Sequence, residues 1–263
     1  MKTWTVLSLL ALLAAAAGAD DPPTPTTRPD SRPADPEQER IDKVLAEQEA
    51  AGKKLSTLSA DLIYEKEDVF GDVVKKTGRF QYRKPRQFRI DLDFRFVGKR
   101  KLVEDKAYIF DGKRLYLIDK RRKRLTIFSL PPPKPGAAPA NPLELGRGPF
   151  PMPFGQKAET IRKLFEVKLI PPTDDEKKAG LTHLRLTPKK GTPLAKKYKR
   201  VDFWFDGELK LPLKLRYLDV GENKVTVTFP KKSVKVNDPK ITPETFAEPT
   251  VNPADWTVIR EPL

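Results

Sequence analysis

Residues 78–95, GRFQYRKPRQFRIDLDFR, set the reading of the whole chain. Phe88, Ile90, Leu92 and Phe94 alternate with Arg89, Asp91, Asp93 and Arg95, the period of two that gives a strand one dry and one wet face. Pro85 has no amide hydrogen to give to a ladder, so it belongs at a strand start or corner between this run and Arg79 to Arg83. Downstream, Asp111-Gly112 sits between Tyr108-Ile109-Phe110 and Leu115-Tyr116-Leu117-Ile118. Two residues that both tolerate positive φ, placed between apolar runs, predict a two-residue hairpin. With the basic run ending in Leu125-Thr126-Ile127-Phe128, the stretch reads as a meander of antiparallel strands.

Moving outward toward the N-terminus, Leu58, Ala60, Leu62 and Tyr64 alternate with Ser59, Asp61, Ile63 and Glu65 as a first strand, and Phe70-Gly71-Asp72 turns the chain into residues 73–83. Ahead of it, Asp35 suits a helix N-cap, Pro36 the first helical position and Gln38 the reciprocal capping partner, with the helix running to about Gly52. Ile41, Val44 and Leu45 fall on one face and Leu55 lies near the same line. The opposite face is charged, so this helix needs an apolar surface to lie on.

Toward the C-terminus, residues 131–142 form a proline-rich surface insertion. Phe150, Met152 and Phe154 follow on a backbone broken by proline, and a helical run from Gln156 to Glu166 puts Ile161 and Leu164 on one side. These residues either form an apolar binding patch or cap a core. Strands resume at 167–170, 183–188, 201–205, 211–220 and 224–229, with turns at Asp206-Gly207-Glu208 and Gly221-Glu222-Asn223. The dry face of this sheet gathers Phe80, Tyr82, Phe88, Ile90, Leu92, Leu115, Leu117, Leu213 and Leu215, a broad apolar concavity if the sheet curls.

Of the 263 residues, 1–19 read as a secretory signal: Lys2, the apolar run from Val6 to Ala17, and a small-residue end before Asp20. Residues 20–36 are a disordered Pro-rich tether, and 37–263 are expected to form a single domain, exported to the periplasm. The chain contains no Cys, which excludes disulfides, thiolate chemistry and an acylated N-terminal Cys. Its formal charge is +15, of which the signal's Lys2 supplies one. That excess serves solubility or an anionic membrane surface, and export argues against nucleic acid as a partner. His183 is the only histidine, so no imidazole cluster for a metal can be assembled. Asp91 and Asp93 read as a solvated pair, no Gly-x-Ser-x-Gly elbow occurs, and Gly146-Arg147-Gly148 lacks the context of a phosphate loop. No catalytic residue, metal or cofactor is indicated, and binding is expected rather than catalysis.

The segments GRFQYRKPRQFRIDLDF and DGKRLYLID and the basic KRLTIF strand, with LRLTPKK, VDFWFDGELKLPLKLRYLD, VTVTF and Glu244-Thr245-Phe246 later, resemble the periplasmic lipoprotein carriers of the LolA type. The resemblance covers most of residues 40–258. It implies an incomplete, strongly curved antiparallel β-barrel whose apolar concavity binds acyl chains of lipoproteins or other envelope lipids. A lid would be formed by the N-terminal helix and the mid-chain segment. The partners it implies are an inner-membrane donor complex and an outer-membrane acceptor. In the family an Arg before the Pro bonds to lid backbone and keeps the empty cavity closed. Here that position is Lys84, flanked by Arg83 and Arg86, and the three are either the latch or surface charges. The same fold also serves as a sensor domain, so a self-filled barrel that docks a partner stands as the alternative.

Overall fold

The computed structural model describes residues 35–130 and 157–262. The signal, the tether up to residue 34, the 131–142 insertion and the lid residues Phe150, Met152 and Phe154 lie outside the described residues. Helix α1 (Pro36–Lys54) starts as expected, with Asp35 accepting from the Glu37 amide and Pro36 in the first turn. Gln38 does not complete a capping box; its amide donates to Asp42 one turn on. The helix runs two residues beyond Gly52, its last turn carrying Lys53 and Lys54, where cations suit the negative end of the helix dipole.

Strands β1 (Thr57–Glu67), β2 (Val73–Arg83), β3 (Gln87–Val97), β4 (Arg100–Phe110), β5 (Arg114–Asp119) and β6 (Arg124–Ser129) form the expected meander. After α2 (Ala158–Leu164) come β7 (Phe165–Ile170), a short helix α3 (Asp174–Lys178) inside the expected 171–180 loop, then β8 (Leu181–Pro188), β9 (Tyr198–Asp206), β10 (Pro212–Asp219) and β11 (Lys224–Thr228). The two-residue strand β12 (Lys235–Val236) pairs with β1, and β13 (Thr257–Pro262) returns to the far edge. The strand order is β13-β6-β5-β4-β3-β2-β1-β11-β10-β9-β8-β7, antiparallel except where β13 runs parallel to β6. Side chains of β5 and β8, far apart in that order, share one buried cluster with α1. A sheet whose distant strands meet over one face is strongly curled, and with β7 and β13 unpaired to each other it stays open. This is the expected incomplete barrel; the face toward α1 is its inner face.

Three features depart from the sequence reading. Gly112, at φ +102°, is the residue in the β4–β5 turn that takes positive φ. Asp111 instead organises a three-residue loop, its Oδ1 accepting the amides of Lys113 and Arg114. Second, the pairing shifts register at Asp93: Leu92 faces Gly78 and Lys106, whereas Phe94 faces Thr77 and Val103. A one-residue bulge turns every later side chain to the other face. Phe94 is therefore an outer residue, stacked under Lys101 Nζ at 3.7 Å, and Arg95 points inward. Third, the outer face of β4–β6 is not salt. Ile109, Tyr116, Ile118, Leu125 and Ile127 build a second core there, closed by Ile241 and by Phe246 from a 3-10 helix (Pro243–Phe246).

Gly78 lies beside the bulge, where a Cβ would stand 1.8 Å from the Asp91 carbonyl oxygen. The strand can pass only because this residue has no side chain. Gly78→Ala is expected to destabilise the protein by about 2–4 kcal/mol in urea unfolding, whereas Gly207→Ala, whose nearest neighbour would be 3.0 Å away, should cost less.

Candidate functional site

The inner face supplies the floor of the site. Phe80 and Phe88 are fully buried, and Tyr82, Ile90, Leu92, Leu115, Leu213 and Leu215 join them in one core. Phe80 meets Phe229 with ring centroids 5.3 Å apart, and Phe88 meets Phe110 at 5.7 Å. Leu117, expected with these residues, shares the inner face but stands half-buried against a charged recess with Lys106, Asp119 and Arg124. The roof is α1. Its buried residues are Ile41, Leu45, Gln48 and Gly52, about one per turn, with Val44 packed alongside. From α2, Ile161 is buried in the same cluster and Leu164 lies against it.

So narrow a stripe leaves α1 dependent on its rim, and the rim is polar. At the C-terminal end, Lys84 Nζ donates to the Lys53 carbonyl at 2.9 Å, reaching a last-turn acceptor that the helix itself cannot satisfy. Of the three latch candidates, Lys84 is the one bonded to α1 backbone. Arg83 donates to Gln87 Oε1 and Arg86 to the Gly112 carbonyl. Asn237 joins Lys84 there, accepting from the Ser56 amide and hydroxyl, both at 2.8 Å.

Along the other side, carboxylates of α1 reach out in turn. Glu37 accepts from the Leu169 amide of β7 at 3.2 Å, and Asp42 pairs with Arg162 of α2. Glu47 meets Lys210 of the β9–β10 turn at 2.9 Å, and Glu49 accepts from the Ala158 amide at 3.0 Å. That last bond caps α2, whose own N-cap residue, Lys157, supplies no side-chain bond. The Arg162 hydrogen bond holds the Asp42 carboxyl below its ordinary range, and Lys53 together with the Ala158 amide does the same for Glu49. An open cleft of about 450 Å³ runs beside this seam, with Ile41 and Phe165 among its walls. These acidic anchors were not singled out from the sequence; exposed Glu residues on a helix carry no mark of their partners.

His183 sits on the outer face of β8. Its Nε2 lies 3.1 Å from Asp202 Oδ1, which also accepts from Arg185 Nε at 2.8 Å. Burial pushes the Asp202 carboxyl up, but His183, Arg185 and Arg200 outweigh it and hold the group below its usual range. The ring stacks on Trp204, so the histidine is a packed, bonded strand residue. Among the described residues no cluster of His, Cys, Asp or Glu could hold a metal ion, and no helix is long and apolar enough to cross a membrane.

No family model matches the chain, and no curated protein matches it. Solved structures do. An uncharacterised conserved protein from Thermus thermophilus aligns over 84% of this chain and 99% of its own at 12% identity, with a TM-score of 0.47. The MucA/MucB complex of Pseudomonas aeruginosa aligns over 80% of this chain at 10% identity and a TM-score of 0.42; the alignment spans 61% of that chain. A LolA superfamily protein from Nitrosomonas europaea aligns over 79% of this chain and 97% of its own, at 10% identity and a TM-score of 0.35.

Two outcomes test the rim. Lys84→Ala should speed amide hydrogen exchange in residues 50–54 about two- to fivefold, the usual weight of one exposed charged contact, while Lys84→Arg should preserve protection. Unchanged exchange in Lys84→Ala would remove the latch. For the acidic side, a depressed carboxylate pKa adds stability above the unfolded value near 4 and loses it as pH falls through the folded one. Urea midpoints should thus drop between about pH 5 and 3, and less steeply in Asp42→Asn/Glu49→Gln.

Proposed function

We propose that this protein binds acyl chains between the curled sheet and α1, as an exported carrier or chaperone for lipoproteins or other envelope lipids. The observation that carries this reading is the mismatch between roof and floor. The floor is wide and aromatic. The roof buries two large apolar side chains, Ile41 and Leu45, and is otherwise held by exposed polar bonds around its edge. Contacts of that kind are individually worth about 0–1 kcal/mol, whereas a buried Ile or Leu contributes about 1.5–3 kcal/mol.

Lifting the helix therefore costs chiefly the area it covers. Acyl chains entering beneath it return that area at about 0.8 kcal/mol per CH₂. An exchange so balanced suits a carrier, which must shield its cargo and still release it to a partner whose groove holds it better. On this reading the cargo comes from an inner-membrane donor and passes to an outer-membrane acceptor. The basic exterior favours approach to anionic membrane surfaces.

A second reading is a self-filled barrel that docks a partner on its exterior. The complete burial of Leu45, Phe80 and Phe88 favours it, since these side chains are already packed within the protein's own core.

Native mass spectrometry of the protein purified from a periplasmic extract, with lipid analysis of the organic phase, separates the two. Carrier function should give acylated adducts that are lost in Phe88→Glu and in Leu92→Glu. A clean apo mass that persists after incubation with an acylated peptide would discard the carrier and leave the self-filled barrel.

A further inference from the structure

The apolar interior ends at the bulge, and the same face continues as charge. Beyond Leu92 the inner residues are Lys76, Arg95, Glu104 and Lys106, then Asp119 and Arg124 on the next two strands, as the pairing register dictates. Two adjoining cavities open here. One, of about 170 Å³, sets Lys106, Arg122 and Arg124 around a wall that includes Tyr108 and Leu117. The other, of about 320 Å³, shares Lys106, Asp119 and Arg122 and adds Arg95 and Glu104. Each is many times the ~15 Å³ that one water requires.

The two carboxylates are already neutralised. Glu104, 7% exposed, lies 2.8 Å from Lys76 Nζ, 3.5 Å from Arg95 Nε and 3.8 Å from Lys106 Nζ. Burial pushes its carboxyl up, but Lys76, Lys106 and Arg95 together hold it below its ordinary range. Asp119 accepts from the Arg122 amide at 3.1 Å and stands 3.6 Å from Lys106 Nζ and 3.9 Å from Arg122 Nε. The cations outnumber them. Among the described residues no carboxylate pairs with Arg124, and Arg95 Nε, shielded from solvent, makes no hydrogen bond. Charges placed for solubility belong on the outer face. These line a concavity, where low-dielectric walls concentrate the field on whatever enters.

We propose that this strip is a headgroup site for an anionic group, phosphate or carboxylate, borne by the acyl chain held in the interior. It rests on the acyl-binding reading and narrows the ligand to acidic amphiphiles. Tyr108 and Leu117 mark the join, since both stand on the charged recess while Tyr108 also packs on the main core. The planar forks of Arg122 and Arg124 suit two oxygens of one head; both side chains are exposed, and the 3.9 Å pair of Arg122 with Asp119 is loose enough to yield to a ligand.

The test compares palmitoyl lysophosphatidic acid, monopalmitoylglycerol and inorganic phosphate by calorimetry on the full-length chain. The acidic lipid should bind about tenfold more tightly than the neutral one. Arg122→Gln/Arg124→Gln should abolish the difference while leaving neutral-lipid affinity and the thermal midpoint unchanged. Should that variant fail to fold, raising salt to about 0.5 M with the parent protein should narrow the same gap. Equal affinity for the two lipids overturns the headgroup site and leaves acyl binding standing. Binding of neither overturns both. Phosphate binding without any preference between the lipids would assign the strip to a free anion and overturn the headgroup role.

Discussion

A curled sheet with an aromatic inner face cannot leave that face wet, and among the described residues α1, with α2 beside it, lies over it. Burial of apolar area is what drives the helix into place, because most helical stability in a folded protein comes from packing an apolar face rather than from propensity. Yet α1 offers only a thin stripe, so its position is fixed by bonds at its margins. Lys84 holds one end through a backbone carbonyl, and four acidic side chains hold the flank. The division of labour is physical: apolar contact sets that the helix docks, and directional bonds set where.

The bulge at Asp93 is the second determinant. By reversing the later side chains of β3, it turns Phe94 outward and brings Arg95 inward beside Glu104, which alternation from Tyr108 and Lys106 already places on that face. Gly78 lets the neighbouring strand approach closely enough for the bulge to exist. The concave face thus carries two chemistries along its length, with Tyr108 and Leu117 at the boundary.

Edges and backs receive similar treatment. The unpaired edge of β7 is partly blocked by Glu37 of α1, and the edge of β6 is taken up by parallel β13. The chain reaches that edge by crossing the outer face of β4–β6, where Phe246 and Ile241 cover side chains that would otherwise form an exposed patch. Tyr116 and Ile118 are apolar on the side opposite Leu115 because both sides of β5 are buried.

Strand identity, the helix start at Asp35 and the buried residues of the apolar floor other than Leu117 were legible in the sequence, because period-two alternation and capping chemistry are local properties of the chain. Lys84 could be named as a latch candidate beside Arg83 and Arg86, but three neighbouring cations differ only in where the fold sends them. The face of Phe94, the second core beneath Phe246 and the partners of Asp42, Glu47 and Glu49 were decided by tertiary structure alone. Each depends on a residue more than twenty places away or on a register shift between strands, and no local pattern encodes the pairing that settles it.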